Sequence, residues 1–247
     1  MATPIVTGPP KVTLRAARPR AYDGAIAAAR TCYSPRVIAD AEITDAQRDT
    51  IGPLTFSAGH HTVYQHATFE FGLENVSRHF VWAFLHAHPF YTSEQSSQRY
   101  VKLGEPRACV PRKVAGEARA VFEASIARSW DAYGALSRLL VRDTEAIISD
   151  IRHAGPDASE ARRKKVAREA DKKAIEVARY VIPIAAFTSM VHSLSGIVLH
   201  RLYRMSRSSD TPAEASDVIG EMVRLAREHD PDFFSKVGEP PLGDDDI

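Results

Sequence analysis

Hydrophobic and polar positions change period several times along the chain, and each change predicts an element. Over residues 66–74, Ala67, Phe69, Phe71 and Leu73 alternate with Thr68, Glu70, Gly72 and Glu74, the two-residue repeat of a half-buried strand. A short strand is predicted at 12–15. It precedes an alanine-rich helix over 22–33 that Ser34-Pro35 closes, because the residue before proline is pushed out of the helical region. Thr44 with Gln47 makes a capping box that opens a helix, which Gly52-Pro53 break or kink. Asn75 or Ser77 caps the next helix, with Val76, Phe80, Phe84 and Leu85 on one face and Pro89 as its stop. Residues 96–101 read as a second strand, with Ser97 and Arg99 on one side and Gln98 and Tyr100 on the other.

The longest periodic stretch, 115–151, repeats Phe122, Ile126, Trp130, Tyr133, Leu140 and Ile147 at intervals built from three and four, and predicts one long core helix. Asp157 and Glu160 restart a helix in a capping-box arrangement. Its stripe is Val166, Ala170, Ala174, Val177 and Ala178, while eight Lys/Arg between 162 and 179 form a solvated face. A helix is predicted over 188–205 with Met190, Val191, Leu194, Ile197, Val198 and Leu202 inward, and Arg201, Arg204 and Arg207 on a basic ridge. A last helix covers about 214–229. No repeat or low-complexity linker divides the chain, so residues 1–247 read as one domain, with a flexible start over about 1–10 and a polar tail over about 241–247.

Composition narrows the class without naming a partner. The 247 residues are 44% hydrophobic and 26% charged with a formal charge of +1, an ordinary globular balance. No global field favours nucleic acid or membrane, so recognition of an anion must come from a local cluster. Two cysteines without a C-x-x-C pair fit a reduced compartment. The start lacks the apolar core of a signal peptide and no apolar run approaches the roughly 20 residues that span a bilayer, so a cytoplasmic protein is expected.

The reactive side chains concentrate in residues 57–101. His60, His61 and His66 sit around a turn and invite a metal, yet no His-Glu-x-x-His or cysteine pair accompanies them and His86-Ala87-His88 has no recognisable ligand spacing; no metal is expected. Helix-capping or core-satisfied histidines are the plainer alternative. Glu94, Gln95, Ser96, Ser97, Gln98, Arg99 and Tyr100 form a donor-rich segment suited to a pyrimidine ring and a phosphate, with arginine forking onto the anion. No G-x-G-x-x-G or P-loop is present to hold that phosphate otherwise.

The order of segments resembles the flavin-dependent thymidylate synthases. The likeness is carried by AARTCYSP over 28–35, GHHTVYQHA over 59–67, VSR over 76–78, SQRYV over 97–101, VARYVIP over 177–183 and Phe187-Thr188. It implies an α+β fold, an antiparallel sheet flanked by long helices, assembled as a homotetramer with sites between subunits. It implies a reaction in which FAD, reduced by NADPH, mediates transfer of a one-carbon unit from methylenetetrahydrofolate to C5 of dUMP, so that the protein supplies orientation and electrostatics. By the same resemblance His60, Thr62, His86, His88, Gln95, Ser195 and Arg201 are expected to line the flavin, and Gln95, Ser97, Arg99 and Arg179 to hold the nucleotide. Arg204 or Arg207 would promote ionisation of the pyrimidine. The chain departs from the family pattern where His86-Ala87-His88 replaces Arg-His-Arg with one extra residue before Ser97, and at Gln65, Ala83, Ser195 and Ile197. Two permanent cations thereby become titratable imidazoles. The alternatives are a nucleotide-binding paralogue that has lost the flavin site and a histidine-metal hydrolase.

Overall fold

The strand that the alternation predicts is the centre of the sheet. In a computed structural model, which describes residues 4–208, 211–239 and 241–242, β2 (Thr68–Ser77) turns Phe69, Phe71, Leu73 and Val76 completely inward. β1 (Lys11–Ala17) pairs with it antiparallel, Lys11 opposite Glu74 and Leu14 opposite Phe71, with a bulge between Leu14 and Ala16. The full order is β1-β2-β4-β3, where β4 is Phe187–Ser195 and β3 is Tyr91–Gln95. The fold is α+β, an antiparallel sheet with long helices.

Contacts group the chain into two compact units. One holds Pro9–Gln95 and the residues from Thr188 onward. Here α1 (Ala21–Thr31), α3 (Arg78–His86), α6 (Gly196–Met205), α7 (Ala213–His229) and α8 (Pro231–Lys236) share one core with the sheet. Gly196 is required where α6 begins: a Cβ there would lie 2.3 Å from the Phe233 ring. The other unit takes in the residues up to Gly8 and Ser96–Phe187. It is built on α4 (Gly116–Ile151) and α5 (Glu160–Ala178), which bury small clusters around Trp130, Tyr133 and Val166. Val6 bridges to Arg107 within it.

Several predicted boundaries change. α2 (Asp45–Ser57) opens on the expected Thr44/Gln47 capping box but continues through Pro53. The Gly52 carbonyl, one residue earlier, takes the hydroxyls of Tyr64 at 2.6 Å and Thr55 at 2.9 Å. Ser77 rather than Asn75 caps α3, its Oγ accepting from the Phe80 N–H at 2.9 Å, while Asn75 adopts a left-handed φ of 54°. Ser159, not Asp157, caps α5. Two larger corrections concern the sheet. Residues 96–101 form a turn instead of a strand, and the strand lies just before them as β3. Residues 187–195, read as helix, are β4, where Thr188, Met190, His192 and Leu194 are buried in strict alternation. The predicted tail over 241–247 falls mostly outside the described residues. No helix among the described residues is long and apolar enough to cross a membrane.

Candidate active site

In the sheet unit, the turn between α2 and β2 is a 3-10 segment, His61–His66. Tyr64 anchors it from the core, and His60 and Thr62 are left exposed. His61 stacks on Phe56 with ring centroids 4.7 Å apart, and its Nδ1 lies 3.5 Å from the guanidinium of Arg201 on α6. Thus an exposed permanent cation and several neutral donors meet where α6 passes this turn. Ser195, the residue just before α6, is buried and its Oγ has no hydrogen-bond partner. Such an orphan is costly unless something pairs with it.

His86 and His88 fare differently although two residues apart. His86, at the end of α3, is exposed, tilts against the exposed Trp82 ring at 4.1 Å, and places Nδ1 2.7 Å from the Trp82 carbonyl. His88 is buried, and its Nε2 is 3.1 Å from Nε2 of His192 on β4, so one imidazole must donate and the other accept. Phe84 and Tyr91 pack around both rings. Burial holds His88 below its ordinary range and, with His88 beside it, pushes His192 down to about 3. This is a neutral pair inside the protein. His200 on α6 is likewise pushed down to about 4, chiefly by burial. The alternation Thr188, Met190, His192, Leu194 was the signal for His192, hidden by reading the segment as helical.

Gln95 ends β3 opposite Met190 and is half-buried. Arg204 pairs with Glu239 at 2.5 Å, and Arg207 is exposed with no partner among the described residues. In the hairpin unit, Ser97 Oγ accepts from the Arg99 N–H at 3.2 Å, a local turn bond that leaves the guanidinium exposed over the Tyr100 ring at 5.4 Å. Lys172 covers the same ring at 5.9 Å. Arg179 directs Nε to the Glu176 carbonyl at 3.1 Å and lies over Tyr180. The Glu176 carboxyl is held below its ordinary range first by its hydrogen bond to Lys173 and also by the charges of Arg99 and Arg179. Ser97, Arg99 and Arg179 therefore share one neighbourhood with Tyr100, and with Lys172 and Glu176, which sequence reasoning missed. The remaining predicted residues belong to the sheet unit. No group of three His, Cys, Asp or Glu that could hold a metal is found among the described residues.

An antiparallel sheet with long helices and a cationic neighbourhood at Arg99 and Arg179 define the class, and comparison supplies the family. The chain belongs to the thymidylate synthase complementing protein family, whose model matches residues 13–232. It is 26% identical over 232 residues to the flavin-dependent thymidylate synthase of Clostridium tetani, covering 92% of this chain and 86% of that one. The flavin-dependent thymidylate synthase of Geobacter sulfurreducens is 28% identical over 218 residues, covering 85% and 79%. Among solved structures, the UMP/dUMP methylase PolB of Streptomyces cacaoi bound with 5-Br UMP superposes with a TM-score of 0.65 over 96% of each chain. At 13% identity, that likeness speaks to the fold alone.

Proposed function

We propose that the protein methylates dUMP, or a related pyrimidine nucleotide such as UMP, at C5, using FAD with NADPH and methylenetetrahydrofolate, and works as a homotetramer. The observation that carries this reading is the family match along nearly the whole chain together with Arg99 and Arg179, distant in sequence, acting on one carboxylate. Two exposed or half-exposed guanidiniums in one neighbourhood suit a nucleotide phosphate, which arginine grips in bidentate fashion. Ser97, in the same unit as these arginines, would read the base. Arg207, exposed and without a partner among the described residues, is better disposed than Arg204 to stabilise the pyrimidine as it loses its ring proton.

The flavin fits the donors that remain. The orphaned Ser195 hydroxyl and the exposed Arg201 guanidinium, with His60, Thr62 and exposed His86, offer hydrogen bonds and one permanent cation for a dinucleotide. These residues would hold and orient the flavin, whose chemistry would be hydride supply and relay of the one-carbon unit. A second reading, a nucleotide-binding protein without flavin chemistry, is favoured by His88, whose ring is buried against His192 and carries no charge outward.

Titration with FAD and with dUMP or UMP, followed by assay of nucleotide methylation with NADPH and methylenetetrahydrofolate, separates the two. Flavin binding with methylated product supports the first. Nucleotide-dependent rise in melting temperature without any flavin binding supports the second. Arg179→Ala should weaken nucleotide binding by about 1.5–3 kcal/mol, the worth of a charged hydrogen bond. Unchanged affinity would remove Arg179 from the site.

A further inference from the structure

The near-neutral chain hides a local imbalance. Residues 160–179 hold eight Lys/Arg against four Asp/Glu, although the whole chain carries only +1. The cations do not surround α5 evenly. Lys164, Lys165, Arg168 and Lys172 follow the three- and four-residue spacing of one helix face, and with Arg152 at the end of α4 they line an open groove of about 710 Å3. Glu169 is the single acid in that lining, and it is tied to Arg152 at 2.9 Å. Lys164 is paired with Glu160, whereas Lys165 and Arg168 form no ion pair among the described residues and are exposed.

We propose that this face binds a linear chain of phosphates, that of a nucleic-acid strand. From Ala161 to Lys172 the stripe runs roughly 16 Å along the helix, long enough to meet more than one phosphate of a strand at once. A planar anionic membrane suits it less. The apolar stripe of α5, Val166 and Ala170, is buried in the hairpin, and Ala161 is the only apolar residue lining the groove, so nothing is left to insert among acyl chains. No aromatic or amide side chain lines the groove, so backbone charge is read and base identity is not. The inference does not rest on the proposed methylation: Lys172 borders both neighbourhoods, but Lys164, Lys165 and Arg168 lie outside that of Arg99 and Arg179.

The test is fluorescence anisotropy of the full chain with a labelled 20-nucleotide oligothymidylate at increasing salt. With Lys164, Lys165, Arg168 and Lys172 engaged, log affinity should fall against log salt with a slope of about −3, and oligocytidylate should bind equally. Lys165→Glu with Arg168→Glu should weaken binding at least tenfold, while Lys165→Arg with Arg168→Lys should retain it, a control that separates charge from misfolding. Inorganic polyphosphate that competes more tightly than the oligonucleotide would keep the site and name free polyphosphate as its occupant. No binding at low salt, binding indifferent to the charge reversal, or binding to phosphatidylserine vesicles without the oligonucleotide would overturn the proposal.

Discussion

β2 turns Phe69, Phe71, Leu73 and Val76 wholly away from water, whereas α4, 36 residues long, leaves Val121, Leu139, Ile147 and Ile151 more than half exposed. Both segments are strongly periodic, so periodicity alone does not say how far a face is closed. In the sheet unit the facing elements come from the same chain: α1, α3, α6, α7 and α8 all add to one core. In the hairpin unit α5 covers one side of α4, and apolar surface remains that a second copy would cover in the proposed tetramer. The difference teaches that the sheet unit closes its core with elements of its own chain, while α4 keeps an exposed apolar face among the described residues.

The largest expected effect is in the closed half. Phe71→Ala should cost about 3–5 kcal/mol in chemical denaturation, the range for removing a buried aromatic ring; a loss below about 1 kcal/mol would mean that the sheet core is looser than its burial indicates. The second concerns pH. His192 and His200 sit well below the ordinary 6.5 in the folded chain, so the unfolded chain takes up their protons first. Stability is then fully present above about pH 6.5 and is lost as pH falls toward 4 and 3, by up to about 1.4 kcal/mol per pH unit for each group. Melting curves between pH 7 and 4 measure this, and His192→Gln should flatten part of the slope; an unchanged slope would count against burial of a neutral imidazole there. Third, Ser77→Ala removes the cap of α3 and a hydroxyl held by Glu214 at 2.5 Å, and should cost about 1 kcal/mol. The smallest effect on chain stability belongs to the open half. Leu139→Asp with Ile147→Asp should leave the helical circular dichroism unchanged while sedimentation shifts from the proposed tetramer to smaller species. Loss of helix instead would show that this face serves the chain's own folding.

The candidate site was legible in parts. Arg99 and Arg179 carry family motifs and were named from them, but their common neighbour Glu176 lies in a charge run that looks like any solvated helix face. His86 and His88 looked equivalent in sequence, and only the arrival of β4 beside His88 makes one an exposed donor and the other half of a buried pair. The orphaned hydroxyl of Ser195 likewise has no sequence signature, because a missing partner is a property of three-dimensional surroundings.

The sequence by itself determined the helices with long periodic faces, the central strand β2, and the Thr44/Gln47 capping box, since these depend on neighbours within a few residues along the chain. It could not decide β3 or β4. Met190, Val191, Leu194 and Ile197 satisfy a helical spacing while Thr188, Met190, His192 and Leu194 satisfy an alternating one, and what makes residues 187–195 a strand is β2 on one side and β3 on the other. The same reason moved the edge strand from 96–101 to 91–95: Tyr91 meets Leu194 and Gln95 meets Met190. A strand exists only where backbone donors and acceptors find a partner, and that partner lies about a hundred residues away.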